Sequence, residues 1–226
     1  MNLRLMALNI KEFVPDLSLP VIKQRINIRY KQILAMEKWE FLNSLVAVSQ
    51  ATGTTLCTPA TDCGEVIAVR TDVVVTEKPP MYLNALDPER TSTGAPKHWV
   101  VYSKSTAVDG VVTIELWPIT DQVYTLMVSY TKTVSDLVND ADSPLFRPEV
   151  LEAGTLWDCY RLVYAINRNT AYIGLARDAK QDFEAELRRM IQEDLQTASL
   201  PRTVTDVMGL LDFDDTFRTS HDVEWW

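Results

Sequence analysis

The sequence predicts an α+β fold: a helical bundle of long helices, an inserted antiparallel β module and an extended C-terminal arm. Three observations predict it. Helical periodicity frames the chain at both ends, over residues 20–42 and 145–195. Between them, residues 43–133 read as short alternating runs separated by turn residues. Past 195, Pro201 stops the last helix and no strong period follows. With 226 residues, the chain fits one large domain or a small domain with appendages. A globule of that size buries roughly 70% of its unfolded surface, so it needs no disulfide or metal staple.

Residues 1–19 read as an extended leader. Pro15-Asp16-Leu17-Ser18 supplies helix-start signals, and Pro20 is allowed in the first turn. From Pro20 to about Glu40, Ile22, Ile26, Ile33 and Met36, with Tyr30 beside them, form one stripe. Lys23, Arg25, Arg29, Lys31 and Lys38 fall largely outside it, either paired with acidic neighbours or solvated. Trp39-Glu40-Phe41-Leu42 closes this helix with bulky groups and reads as a hinge packing it onto the sheet.

In the β module the expected strands are Ser44–Gln50, Thr54–Cys57, Val66–Arg70, Trp99–Ser103, Val111–Trp117 and Tyr124–Thr131. Asp109-Gly110 is a hairpin turn, and Met81–Leu86 reads as one helical turn over the sheet. The linker 136–146 is acidic, and Asn139-Asp140-Ala141-Asp142 lacks the glycine and distal glutamate of a calcium loop, so it reads as solvated. Pro148 and Glu149 suit the first turn of a helix reaching about Asn169. Val150, Leu151, Leu156, Trp157, Tyr160, Val163, Tyr164 and Ile166 cover most of its faces, as in a buried helix. Gly174 marks a break. The last helix, Leu175 to Leu195, carries a stripe of Ala179, Phe183, Leu187, Met190 and Ile191, and Glu184 and Arg188 pair at i,i+4.

In residues 196–226 acidic positions (Asp206, Asp212, Asp214, Asp215, Asp222, Glu224) alternate with apolar ones. Leu210, Leu211, Phe213, Phe217, Trp225 and Trp226 make this segment too apolar for a solvating tail. It reads as an arm that orders on a partner, with the tryptophans as anchors; the alternative is a strand or loop folding back on its own domain.

The net charge of −9 argues against an open DNA-binding surface, which needs clustered Lys and Arg. It does not argue against a channel through which DNA must slide, because an acidic wall repels phosphates and prevents sticking. Cys57, Cys63 and Cys159 match no zinc spacing and read as reduced thiols. Lys11 and Glu12 interrupt the N-terminus too early for a signal peptide, and no apolar run spans a membrane. Phosphate-loop, dinucleotide, G-x-S-x-G, H-E-x-x-H and Cys/His signatures are missing, and His98 and His221 read as packed or surface groups. No catalytic residue, cofactor or metal ligand is expected, and the chain reads as no enzyme.

Five short motifs occur in order: the Trp39 segment, Pro59 with Asp62, Gly94-Ala95-Pro96, Leu116-Trp117-Pro118, and Tyr124 through Tyr130. Over residues 20–195 this order resembles the phage head-to-tail adaptor, or connector, family. The resemblance implies a virion structural protein, forming a ring of usually twelve copies under the portal. In it the helices surround the DNA channel and the β module faces outward or towards the tail. The arm would then reach the portal through Leu210, Leu211, Phe213, Phe217, Trp225 and Trp226. Implied partners are the portal protein, a downstream tail or nozzle protein, neighbouring copies, and genomic DNA passing without sequence-specific binding. No membrane is involved, and the implied location is the virion neck, after assembly in the host cytoplasm. Two other classes stand beside it: a tail or neck protein whose β module binds carbohydrate, and a tail-associated cell-wall hydrolase.

Overall fold

The computed structural model describes residues 1–104 and 112–197. The fold is α+β and divides into two compact units, one of Met1–Phe41 with the residues from Asp136 onward, the other Leu42–Ser135.

The helical unit holds α1 (Leu3–Phe13), α2 (Leu19–Met36), α4 (Pro148–Asn167) and α5 (Ala171–Thr197), and the 3-10 turn Glu40–Leu42 spans the chain boundary between the two units. The expected leader is therefore a helix. Asn2 caps it, its side-chain oxygen accepting the Leu5 N–H at 3.0 Å, and Leu3, Met6, Ala7 and Ile10 bury one face at i, i+3, i+4 and i+7 spacing. The Leu3 and Arg4 N–H groups, which no helical turn can satisfy, donate to the carbonyls of Asp142 and Asp140. The acidic linker is thus a built turn rather than solvated chain. The Asp142 carboxylate accepts the Val138 and Asn139 N–H groups at 2.8 and 2.7 Å. The Asn27 side chain brackets Leu137, accepting its N–H at 2.8 Å and donating to its carbonyl at 2.9 Å.

The basic residues of α2 divide as well. Lys23 pairs with Asp140, Lys31 with Asp136 and Arg29 with Asp158. α2 ends at Met36, before the Trp39 segment. Trp39 is buried, and its indole N–H donates to the Ile33 carbonyl at 2.9 Å, so it serves the helical core. Gly174 lies inside α5 and breaks nothing. The break falls earlier, where Arg168 caps α4 in the left-handed region at φ 52°, and the Asn169 side chain accepts the Ala171 N–H at 3.0 Å to start α5.

The second unit contains β1 (Asn43–Gln50), β2 (Leu56–Cys57), β3 (Cys63–Arg70), β4 (Val74–Glu77), α3 (Pro80–Leu86), β5 (His98–Lys104), β6 (Val112–Trp117) and β7 (Tyr124–Lys132). Asp109-Gly110 and Val111 lie outside the described residues. The strands join in the order β1-β7-β3-β4-β5-β6-β2. The expected module was antiparallel, but β4, a strand too short to show a period, pairs in parallel with β5. The reason is the connection: α3 carries the chain back to the end where β4 began, as a parallel pair requires. The sheet curls, because β3 and β6 touch although two strands separate them in the order. One core fills the curl, formed by Cys57, Cys63, Val66, Val69, Val75, Trp99, Val112, Ile114, Leu116, Leu126, Val128 and Tyr130. Strict alternation on β6 puts Val112, Ile114 and Leu116 inward and Thr113, Glu115 and Trp117 outward.

Candidate interaction surfaces

The arm residues Leu210, Leu211, Phe213, Phe217, Trp225 and Trp226 lie outside the described residues. Among the described residues, no group of His, Cys, Asp or Glu is placed to hold a metal ion. No described helix is long and apolar enough to cross a membrane. Burial pushes the Cys57 and Cys63 thiols up to about 11 and the Cys159 thiol up to about 12, the condition of inert core cysteines. What the structure offers is surfaces, and three stand out.

The first is β1. It ends the strand order and pairs only with β7 among the described strands. Its sequence, Asn-Ser-Leu-Val-Ala-Val-Ser-Gln, holds no charge, proline or glycine, and Leu45 is 50% exposed. Natural edge strands are usually blunted by charge, proline or a bulge, so an edge of this length and composition suits the addition of a further strand.

The second surface is aromatic. His98 stacks on Trp117 at 5.7 Å between ring centroids, and Tyr82 meets His98 edge-on at 5.5 Å. Asp87 holds this cluster from beneath. Its carboxylate accepts the Trp117 indole N–H at 3.0 Å and the Thr91 and Ser92 N–H groups at 3.1 and 2.9 Å. These donors hold its pKa far below the usual carboxylate range. Arg90, left-handed at φ 53°, donates to the Leu83 and Asp87 carbonyls that end α3 and to Glu115 at 2.6 Å. Sequence reading passed over Asp87 and Arg90, because their partners come from α3 and β6 and no local pattern marks them.

The motifs read in the sequence acquire physical roles in the same unit. The Tyr130 hydroxyl donates to the Asp62 carboxylate at 2.9 Å, and the Asp62 carbonyl accepts the Thr133 N–H at 2.7 Å, so Asp62 ties the loop before β3 to β7. Gly94, at φ 152°, allows its N–H to reach the Ile119 carbonyl at 2.8 Å, just past Trp117-Pro118.

His98 makes the aromatic surface pH-sensitive. Its Nδ1 is buried without a hydrogen-bond partner. Burial, then Lys78 and Lys97, lower its pKa from the ordinary 6.5. The fold therefore favours neutral His98, while the unfolded chain takes up a proton near the ordinary value. Stability from this group is present above pH 6.5 and is lost as pH falls below it. Asp87, depressed far lower, stays ionised across that window. Thermal midpoints at pH 7.5 and 5.5 should fall further for the natural protein than for His98→Gln. An equal fall in both would remove His98 as the cause.

The third surface is a groove of about 300 Å³ in the helical unit, lined by Phe41, Leu145, Phe146, Arg147, Met190, Glu193, Asp194 and Thr197. Asp194 anchors one wall, accepting the Glu40 N–H at 3.1 Å and the Phe41 N–H at 3.3 Å. Arg147 contacts Glu193 at 2.9 Å, Glu186 at 3.4 Å and Glu149 at 3.7 Å.

In comparison with known proteins, the family model described as SU10 adaptor protein matches residues 4–205. No curated protein matches the chain.

Proposed function

Because the chain belongs to the SU10 adaptor protein family, a family of phage adaptors, we propose that it is the head-to-tail adaptor of its virion: twelve copies form a ring under the portal, prolong the DNA channel and give tail proteins their platform. The family match carries this reading. It begins in α1, runs through both units and continues eight residues past α5, so it concerns the whole architecture rather than one module. The remainder fits. A net charge of −9 suits a passage that must not retain DNA, and the two units divide the labour: the long helices surround the channel, while the strand-edge and aromatic surfaces of the β-rich unit meet neighbouring copies or the next tail protein.

Residues 196–226 are the portal-docking arm in this reading, with Leu210, Leu211, Phe213, Phe217, Trp225 and Trp226 as its apolar contacts. One such segment binds weakly after the entropy of ordering it is met. Twelve joined in a ring gain avidity, because each bound arm raises the effective concentration of the next. Such an arm also makes assembly sequential, since only the portal offsets the ordering cost.

Light scattering coupled to size exclusion tests the proposal, on the protein alone and mixed with the portal protein of its phage. The full chain should join the portal as a stoichiometric ring. Deleting residues 200–226 should leave a folded, soluble protein that no longer co-elutes. Undiminished binding by the truncated chain would remove the arm from the interface, and failure of the full chain to associate would remove the portal as partner.

A further inference from the structure

One place on the helical unit is positive, against the net charge of −9. An open pocket of about 310 Å³ is lined by Arg25 of α2 and by Asp158, Arg161 and Leu162 of α4. The carboxylate among these residues is already engaged, since both oxygens of Asp158 accept from Arg29. Arg25 is half-buried and Arg161 exposed, and neither makes an ion pair among the described residues. Arg161 instead lies 5.5 Å from the Trp157 ring centroid. Arg29 satisfies Asp158, so the charges of Arg25 and Arg161 stand uncompensated. A planar guanidinium takes a carboxylate through two parallel N–H···O bonds, so two of them beside one cleft suit a pair of carboxylates.

The matching charge stands on α5. Asp178 and Asp182 are exposed and adjoin on one side of the helix at i,i+4 spacing, where like charges repel. Neither has an ion pair or hydrogen bond among the described residues, and the exposed Arg177 beside them pairs with neither. Further along α5 the chain meets its own carboxylates: Glu184 with Lys180 and Arg188, Glu186 with Arg147, Glu193 with Arg147 and Arg189. At 3.6 residues per turn the two aspartates face away from Ala176, Ala179 and Phe183, the inward stripe of α5. The pocket on α2 and α4 of the same copy is therefore out of their reach. They do match it in height. Lys180, midway between them, lies 5.5 Å from the same Trp157 ring that Arg161 approaches, and two residues along a helix is about 3 Å. Rotation about an axis along the helices keeps that height. The next copy in a ring then presents its aspartates level with the pocket, in a heterologous contact of the kind that closes rings.

We propose that the pocket of Arg25 and Arg161 is an intersubunit site, filled by Asp178 and Asp182 of a neighbouring copy. This rests on the reading of the chain as a ring-forming adaptor, and it names a contact which that reading leaves open. The exposed Arg161 and the half-buried Arg25 take one carboxylate each, and the repulsion between the two aspartates is relieved. Pocket and aspartates belong to different helices of one copy, so copies add in one direction around the ring. The contact is electrostatic: it steers docking and fixes register, and it weakens as salt rises.

Charge exchange on the full-length protein tests it, read by sedimentation velocity over a concentration series at low and high salt. The natural protein should self-associate more tightly at low salt. Arg25→Glu with Arg161→Glu should weaken association roughly tenfold or more, and so should Asp178→Arg with Asp182→Arg. The two variants mixed should associate again, because every contact in an alternating ring then joins opposite charges. All four substitutions in one chain should recover for the same reason, a result that misfolding could not give. As a second readout, Arg161→Cys mixed with Asp182→Cys should form a disulfide between copies on mild oxidation, and neither variant alone should. The native cysteines are buried with thiols raised to about 11, 11 and 12, so they stay silent near pH 8. Association that survives both reversals would overturn the proposal, as would no recovery in the mixture and the fourfold variant, or no association together with no disulfide. If Arg25→Glu with Arg161→Glu lost binding to double-stranded DNA instead of self-association, the pocket would belong to phosphates and the proposal would fall. Portal binding enters none of these readouts. A chain that rings on the portal but ignores the reversals keeps the adaptor reading and loses this one. A chain that self-associates through the pocket but never joins the portal does the opposite.

Discussion

Asp158→Ala destabilises the helical unit by about 3–5 kcal/mol, the cost of stranding a buried charge. Arg29 lies on α2 and Asp158 on α4, with side chains 8% and 16% exposed. The guanidinium donates through Nε at 2.9 Å and through its terminal nitrogen at 2.5 Å to the two carboxylate oxygens. It also lies 4.9 Å from the Trp157 ring centroid and 5.1 Å from that of Phe183. Gly154 makes room for this arrangement: a Cβ there would stand 2.9 Å from Phe183 and 3.1 Å from the Arg29 side chain. Removal of Asp158 leaves the cation dry and unpaired, whereas Arg29→Met with Asp158→Ala replaces the pair by apolar groups. Urea unfolding should show the single variant severely weakened and the double variant recovering more than half of the loss. A loss under about 1 kcal/mol in Asp158→Ala would mean that the pair is solvated like a surface one.

The second large effect is at Trp99. It is 1% exposed and is the largest side chain in the core of the β-rich unit. Trp99→Ala should cost about 3–5 kcal/mol, through lost burial and the cavity left behind. Against a typical total of about 5–15 kcal/mol, that brings the unit near unfolding. Its backbone has a separate duty, since the Trp99 carbonyl accepts the Lys78 N–H at 2.9 Å where the chain leaves β4, and substitution keeps that bond. Trp99→Phe should therefore recover much of the loss. The check is denaturant unfolding, with amide exchange read over β5 to β7. Equal losses in Phe and Ala variants would point to a contact specific to the indole rather than to volume.

The strand positions of β6 and β7 were legible in the sequence because alternation of polarity is a local property, and a half-buried strand must repeat every two residues; β1 and β5 were legible as short runs rich in β-branched and aromatic residues. The stripes of α2 and α5 were legible for the same reason at a period of 3.6. α1 escaped because its signals are an asparagine cap and four apolar residues, and it gains stability from packing rather than propensity. β4 escaped because four residues carry no period. The candidate surfaces were less legible still. Leu210 to Trp226 were read from composition alone. Asp87, Arg90 and Asp194 became visible only when their partners arrived from other elements.

By itself, then, the sequence determined an α+β chain with a β-rich middle, two apolar helix faces and an apolar, acidic end, together with the ordered motifs that place it among the adaptors. Only the tertiary structure decided that β4 and β5 run parallel, that the acidic linker caps α1, that Arg29 finds Asp158 129 residues away, and that a groove opens where α5 ends. The physical reason is range. Periodicity, caps and turn residues act within one or two turns of chain, whereas pairing partners, caps supplied from afar and grooves are settled by which distant segments pack together.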